Sequence, residues 1–505
     1  MRARRPEPTR EGTARRALPL LAILALGVAS AALYEFALVR PYLLTRYVEQ
    51  PLLDLGKIGG YDPAAGWRYA LPLLALWIAY GAVGALAPHV RRDATLLAVA
   101  FGGTLGLAAL LLRLYPITAA DIFNYVLYGL VPHRGANPLV TPPASVIGPP
   151  LIEYSAWPDH VSPYGPVWQG LAWLVTALSG ERLLAGLLGF KAVLLALHLL
   201  NTALIARLAA VSGAARPGVA ALIYGWNPLL LYETVGNGHN DVAILMGLLL
   251  ALCALSVPRR AALALPLATL AALAKYSGAL WLPVLALGWL PAQLHARRWR
   301  AILASLVACV LLVALCYAPF WAGAQTLAGV RRQSDLYTTS LGGLVMTRLA
   351  TSPAPPDPAL LLDLVKRVAL ALVALALLIC RPRDSSITEV ARGAYDVTLA
   401  YLLLGALWFQ PWYLVPLVGL APLVGPARRL LAACYALGAT GSYVVYFYLW
   451  PALDWTPDRF LIQAWATGVA HGPVLLALAL LTARALAQRR PRPNRPNTYT
   501  ILQEH

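Results

Sequence analysis

The sequence predicts an all-α protein threaded many times through a membrane. Three observations carry that prediction. The chain is 59% hydrophobic and only 12% charged, whereas soluble domains carry roughly a quarter charged residues. Apolar runs of about twenty residues, the length that crosses a bilayer as a helix, recur from Ala17 to Leu486. The basic residues behind the net charge of +18 stand in short clusters between those runs, the pattern that orients helices in a bilayer. No soluble basic domain gathers them, so the charge does not point to nucleic acid. All five cysteines (Cys253, Cys309, Cys316, Cys380, Cys434) fall inside apolar segments, with no CxxC pair. They read as small buried hydrophobes rather than as a disulfide framework or a zinc site.

Six arginines precede the first run, which places residues 1–16 in the cytoplasm. The first run is too long for a signal-peptide core, and Tyr34-Glu35-Phe36 is no small-residue cleavage site. A retained first helix over about 17–39 is therefore expected. Helix two (about 69–87) returns to the basic turn His89 to Arg92, and helix three (about 93–115) leads out to Asp121. Further basic clusters, each expected on the cytoplasmic side, stand at Arg259-Arg260, His295 to Arg300, Arg381 to Arg383, Arg428-Arg429 and Arg484 to Arg495.

Parity then constrains the first large loop, residues 116–168. The helix about 241–257 ends at Arg259 and so starts outside. The helix before it, about 217–233, starts inside. An odd number of crossings must join Trp168 to Ala214. Of the two apolar stretches there, 183–208 is long enough to span and 166–179 is not, so an in-plane helix is expected after Tyr164. A hairpin (about 261–293) and a helix about 300–320 precede a second external loop, 321–358. Helices about 359–381, 393–409, 412–425, 428–450 and 463–486 complete a multi-pass domain of residues 17–487. About 13–14 crossings result, followed by a polar, disordered cytoplasmic tail, 488–505.

The first loop interrupts this apolar series with acids, aromatics, prolines and glycines. A turn-rich polar loop of that length is where chemistry is expected. Asp121, just beyond helix three, is placed to accept a proton from a sugar or lipid hydroxyl; a solvated helix cap is the plainer alternative. Tyr125 and Tyr128 follow at i+4 and i+7 on the same helical face, suited to a sugar or to an interfacial aromatic belt. Asp159 and His160 offer a second acid/base pair; one adjacent pair is weak evidence for a metal. His239, Asn240 and Asp241 stand at a helix start, where N–H groups favour an anion such as a lipid phosphate; an N-cap is the alternative. Lys275 sits near a hairpin tip, to pair with a phosphate or to snorkel. Arg331 and Arg332 lie on the second loop. Trp412 and Tyr413 mark another external turn.

In order along the chain stand Asp121-Ile-Phe-Asn-Tyr125, Gly129, Asn137-Pro138, Tyr164-Gly165-Pro166-Val-Trp168, Trp226-Asn227-Pro228-Leu-Leu, Gly238-His239-Asn240-Asp241 and Trp412-Tyr413. This set resembles the bacterial polyprenol-phosphate-mannose-dependent α-mannosyltransferases of lipomannan assembly, which have the GT-C fold. The resemblance covers roughly Asp121 to Tyr413. It implies that Asp121 is the base and that the donor is a polyprenyl phosphosugar. No nucleotide site is then needed, and the chain has no GxGxxG after a strand.

The reading that follows is an inverting glycosyltransferase of the plasma membrane. It moves a sugar from a polyprenyl phosphate to a glycan or glycolipid acceptor on the extracytoplasmic side. Asp121 is the catalytic residue. Tyr125, Tyr128, Arg134, Asn137, Glu153, Asp159, His160, Tyr164, Trp168 and Asn227 are candidates for substrate contact. So are His239, Asn240, Asp241, Lys275, Arg331, Arg332, Trp412 and Tyr413. No cofactor is required; a divalent metal is compatible with the loop. The alternative is a flippase or exporter of lipid-linked sugars without catalysis, which calls for charged residues along a path through the bilayer and for repeat-related halves.

Overall fold

A computed structural model describes the chain from Arg10 to Arg489. The expectations for the cytoplasmic N-terminal arginines at Arg2, Arg4 and Arg5, and for a disordered tail beyond Arg489, lie outside these residues. Within them the protein is helical, with isolated bridges in place of strands.

The principal helices are α1 (Arg10–Leu33), α2 (Pro63–Leu86), α3 (Asp93–Leu111), α4 (Asp121–Leu130), α5 (Pro166–Ser179), α6 (Leu183–Ser212), α7 (Pro217–Gly225) and α8 (Asp241–Leu255). They continue with α9 (Ala264–Ala274), α10 (Trp281–His295), α11 (Trp299–Tyr317), α12 (Leu341–Ala350), α13 (Pro358–Ile379), α14 (Ile387–Ala400), α15 (Pro426–Val444) and α16 (Arg459–Arg489). Starts obey local chemistry. Asp62, Asp357 and Ser386 accept from the first free N–H groups of α2, α13 and α14, and proline takes the first position of α2, α5, α7, α13 and α15.

Among the described residues, eight helices are long and apolar enough to cross a membrane, or up to nine if one bent pair is a single span. The polytopic class is as expected, but the count of uninterrupted spans is smaller than the sequence suggests. The stretch 217–233 breaks at Trp226-Asn227-Pro228, where Asn227 caps a new turn by accepting from Leu230 N–H. Its continuation, Pro228–Gly236, meets Asp241–Leu255 at a bend of 117°. The α13 helix carries Asp363, Lys366 and Arg367, too many charges for an apolar window. Pro411, Pro416 and Pro422 divide 411–423 into short pieces.

The expected helix after Tyr164 is present as α5, fourteen residues long. At 1.5 Å per residue it reaches roughly 21 Å, short of the hydrocarbon thickness. It packs on α4, while α6 packs on both α7 and α8. Lys191 of α6 is fully buried and donates to the carbonyls of Leu111, Leu114, Val235 and Gly236. It ties the ends of α3 and of the Pro228–Gly236 segment together.

The two large loops meet. The amide of Asn137 donates to Phe320 O at 2.8 Å. Thr338 pairs with the 407–409 backbone through Thr338 N to Leu407 O (2.9 Å) and Phe409 N to Thr338 O (3.0 Å). These bonds carry Arg332 and Gln333 over the same space that Asp121 faces.

Candidate functional site

Asp121 opens α4 and lines a cavity of about 750 Å³. Its lining combines polar groups, Asp121, Tyr128, His160, Tyr164, Asp241 and Lys275 among them, with apolar side chains such as Ala369, Leu370 and Val373 of α13 and Leu402, Ala406 and Leu407.

Why Asp121 sits where it does follows from the Tyr164-Gly165-Pro166 motif. Gly165 N–H donates to Ala274 O at 3.0 Å, and a Cβ at 165 would lie 2.0 Å from Leu273 O. Only glycine lets the loop approach the end of α9 so closely. Pro166 then starts α5, and the Tyr164 hydroxyl donates to Asp121 Oδ2 at 3.2 Å. On the other side His239 Nδ1 lies 3.5 Å from the same oxygen. The His239 ring is fully buried and stacks on Trp412, with centroids 3.8 Å apart and planes 9° apart.

The Asp121 carboxylate is 24% exposed, open toward the cavity. Burial opposes its ionisation, but His239, Lys275 and the Tyr164 hydroxyl together outweigh that and hold the carboxyl below its usual range. The Tyr164 hydroxyl moves the opposite way. Burial and the nearby Asp121 charge push it well above the usual phenol range, so it stays a proton donor.

Lys275 is not a snorkelling lysine. It donates to Asp241 Oδ2 at 2.7 Å, with side-chain exposures of 15% and 3%, and lies 5.0 Å from the centre of the Tyr413 ring. The cavity lining therefore contains one carboxylate tied to a lysine, Asp241, and one that is not, Asp121.

The remaining candidates fall into three groups. Arg332, Trp412 and Tyr413 also line the cavity. Tyr125, Trp168, Asn227 and Asn240 are buried and absent from the lining, Asn227 as the cap of the turn at Pro228. Tyr125 packs edge-on to Tyr164 and Trp168, and Asn240 N–H donates to its hydroxyl at 3.4 Å. Tyr125 and Tyr128 thus share a helical face, yet only Tyr128 reaches the cavity. Its hydroxyl donates to His160 O at 3.1 Å. Arg134, Asn137, Glu153, Asp159 and Arg331 lie away from the lining. Arg134 pairs with Glu181, Asn137 braces the loop through Leu139 N–H and Phe320 O, and Glu153, Asp159 and Arg331 are exposed.

Sequence reasoning passed over Glu233 and Lys366. Glu233 is fully buried, with Oε2 3.5 Å from His239 Nε2. Its signal was an acid inside an apolar run, which marks function by default in a membrane protein. Lys366 lines the cavity and pairs with Asp335 of the second loop. Among the described residues, no group of three or more His, Cys, Asp or Glu is arranged to hold a metal.

The family described as alpha-(1->6)-mannopyranosyltransferase, N-terminal domain, matches residues 44–291. The chain is 28% identical over 405 residues to alpha-(1->6)-mannopyranosyltransferase A of Mycobacterium tuberculosis, covering 73% of this chain and 77% of that protein. It is 26% identical over 169 residues to the A enzyme of Corynebacterium glutamicum, covering 33% of this chain and 34% of that protein. To the B enzyme of the same organism it is 30% identical over 146 residues, covering 27% of this chain and 23% of that protein. The matched range spans Asp121, Tyr164, Glu233, His239 and Lys275. Residues 44–291 thus resemble the alpha-(1->6)-mannopyranosyltransferase N-terminal domain, and the chain is a multi-pass membrane glycosyltransferase.

Proposed function

We propose that the chain transfers mannose from a polyprenyl-phosphate donor to a hydroxyl of a lipid-linked or cell-envelope glycan, on the outer face of the membrane. Asp121 is the base. It takes the hydroxyl proton as that oxygen bonds to the anomeric carbon, and the bond from that carbon to the phosphate oxygen breaks. One displacement inverts the carbon, and the polyprenyl phosphate leaves with the electron pair. The observation that carries this reading is the Asp121 carboxylate. It is ionised, open to a cavity on one side, held by Tyr164 and His239 on the other, and not neutralised by a lysine. The lining supports a lipid donor, because apolar side chains from α13 and the 402–407 segment share the cavity with the polar groups around Asp121. The relatives' names supply mannose as the sugar.

Membranes containing the chain, given polyprenyl-phosphate [14C]mannose, are expected to move label into a larger glycan product, and control membranes are not. Label that crosses sealed vesicles with no glycan product identifies an exporter and sinks the reading. Sidedness has its own test. Asp159 and Arg383 are both exposed. Asp159→Cys is expected to react with an impermeant thiol reagent on intact cells, and Arg383→Cys only after permeabilisation. The reverse pattern puts the cavity on the cytoplasmic side.

A further inference from the structure

His239 is held between two carboxylates. Its Nδ1 lies 3.5 Å from Asp121 Oδ2, and its Nε2 lies 3.5 Å from Glu233 Oε2. The backbone enforces the second contact. Gly238 adopts φ +87°, a conformation that side chains other than glycine's resist. This turns the chain so that His239 N–H donates to Glu233 O at 2.9 Å. Trp412 fixes the plane of the ring from one face. Glu233 is itself anchored, accepting from the Tyr443 hydroxyl at 2.8 Å and from Asn237 Nδ2 at 3.1 Å. Asn237 also donates to Thr118 Oγ1 at 2.7 Å, at the entrance to α4.

A neutral imidazole has one N–H and one lone pair. With a carboxylate at each nitrogen, a lone pair would face an anion unless an extra proton is present. Glu233 and His239 are fully buried, where an unpaired charge is costly. One additional proton solves both problems. Either the ring is doubly protonated between two anions, or the ring is neutral and a protonated Glu233 donates to Nε2. Both states contain the same number of protons, and both leave Nδ1–H directed at Asp121. The long 3.5 Å contacts suit a site that tightens when substrate is bound.

We propose that Glu233 is a positioning residue for Asp121: acting through His239, it keeps Nδ1–H on the base and so fixes its orientation and charge. This rests on the reading of Asp121 as the base, and the logic is that of a base oriented by a third group. Around Asp121 the other titratable neighbours are Tyr164, Tyr125, Tyr128, Tyr413, Lys275 and Asp241. Around Glu233 they are Tyr443, Tyr232, Tyr69 and Asp241.

The test compares kcat and kcat/KM against pH in the purified full-length enzyme, as wild type, Glu233→Leu, His239→Gln and the double variant. Leucine offers Nε2 neither a charge nor a donor, so it removes the role of Glu233 in both protonation states, which glutamine would not. His239 helps hold the Asp121 carboxyl low. Losing a proton-bearing His239 therefore raises that carboxyl toward its ordinary value, and the acid limb moves to higher pH. We expect Glu233→Leu to shift it upward by about one pH unit and to lower kcat by about tenfold or more, with acceptor KM changed less than about twofold. His239→Gln is expected to shift the limb the same way, and the double variant no further. A folded Glu233→Leu enzyme with an unmoved acid limb overturns the inference. If that variant does not fold, Tyr443→Phe removes one anchor of the carboxylate and is expected to give a smaller shift of the same sign; an unmoved limb there overturns it equally. Activity in Asp121→Asn defeats the base itself, whereas a dead Asp121→Asn beside a wild-type-like Glu233→Leu defeats only the role of Glu233.

Discussion

Asp121→Asn is expected to lower turnover by at least about 10²- to 10³-fold, the scale of a lost general base. The substitution keeps the shape of the side chain, and the amide oxygen still accepts from Tyr164 OH, so folding is expected to persist. What disappears is the capacity to take the acceptor's proton. Low pH mimics the variant only weakly in the wild type, because the carboxyl is held below its usual range and stays ionised through the physiological window. The measurement is single-turnover transfer by the purified variant at saturating donor and acceptor, alongside a thermal-unfolding control. Turnover within a few-fold of wild type would remove Asp121 from the mechanism and leave His160 as the lining group to test next, since the other lining carboxylate is paired with Lys275.

Lys275→Met is expected to have the second-largest effect, and it acts on two quantities at once. The variant leaves Asp241 unpaired at 3% exposure. Removing one member of a buried pair costs about 3–5 kcal/mol. It also deletes a cation of the cavity lining, where a donor phosphate would bind. Lys275→Met combined with Asp241→Asn divides the two consequences, because removing both charges leaves no orphan anion. We expect the double variant to regain most of the lost thermal stability. Its apparent KM for the lipid-phosphate donor is expected to stay at least about tenfold above wild type, a loss of about 1.4 kcal/mol, with the acceptor KM nearly unchanged. If the donor KM returns to wild type in the double variant, Lys275 serves only to neutralise Asp241. The phosphate would then be bound elsewhere along the lining, with Arg332 and Lys366 as the remaining basic groups.

The sequence by itself determined the membrane character and many helix positions, because these depend on local information. Hydropathy over about twenty residues locates a span, and a proline or capping acid marks where a helix starts. The helix starts at Pro166 and Pro217 fall where expected for this reason, whereas the ends, such as Ser212 and Gly225, differ from the expected 208 and 233. The Tyr-Gly-Pro motif and the helix start at His-Asn-Asp were legible in the sequence, and both lead to the candidate site.

Tertiary structure alone decided which of the residues in those motifs face the cavity and which pair with one another. Spacing put Tyr125 and Tyr128 on one face, but α5 and α6 cover that face unevenly, so Tyr125 packs against Trp168 and Phe190 while Tyr128 stays at the cavity. Lys275 read as a hairpin-tip cation because nothing local announces that Asp241, 34 residues earlier, comes within 2.7 Å. Arg134 and Asn137 looked like substrate ligands because they are polar in a chemically rich loop, yet each is engaged by a distant partner, Glu181 and Phe320 O. Glu233 became visible as part of the site only when the left-handed turn at Gly238 folded His239 back onto it. The physical reason is common to all four. Helix formation is governed by neighbours within a turn or two, whereas a site is assembled from side chains that only the packing of distant helices brings into contact.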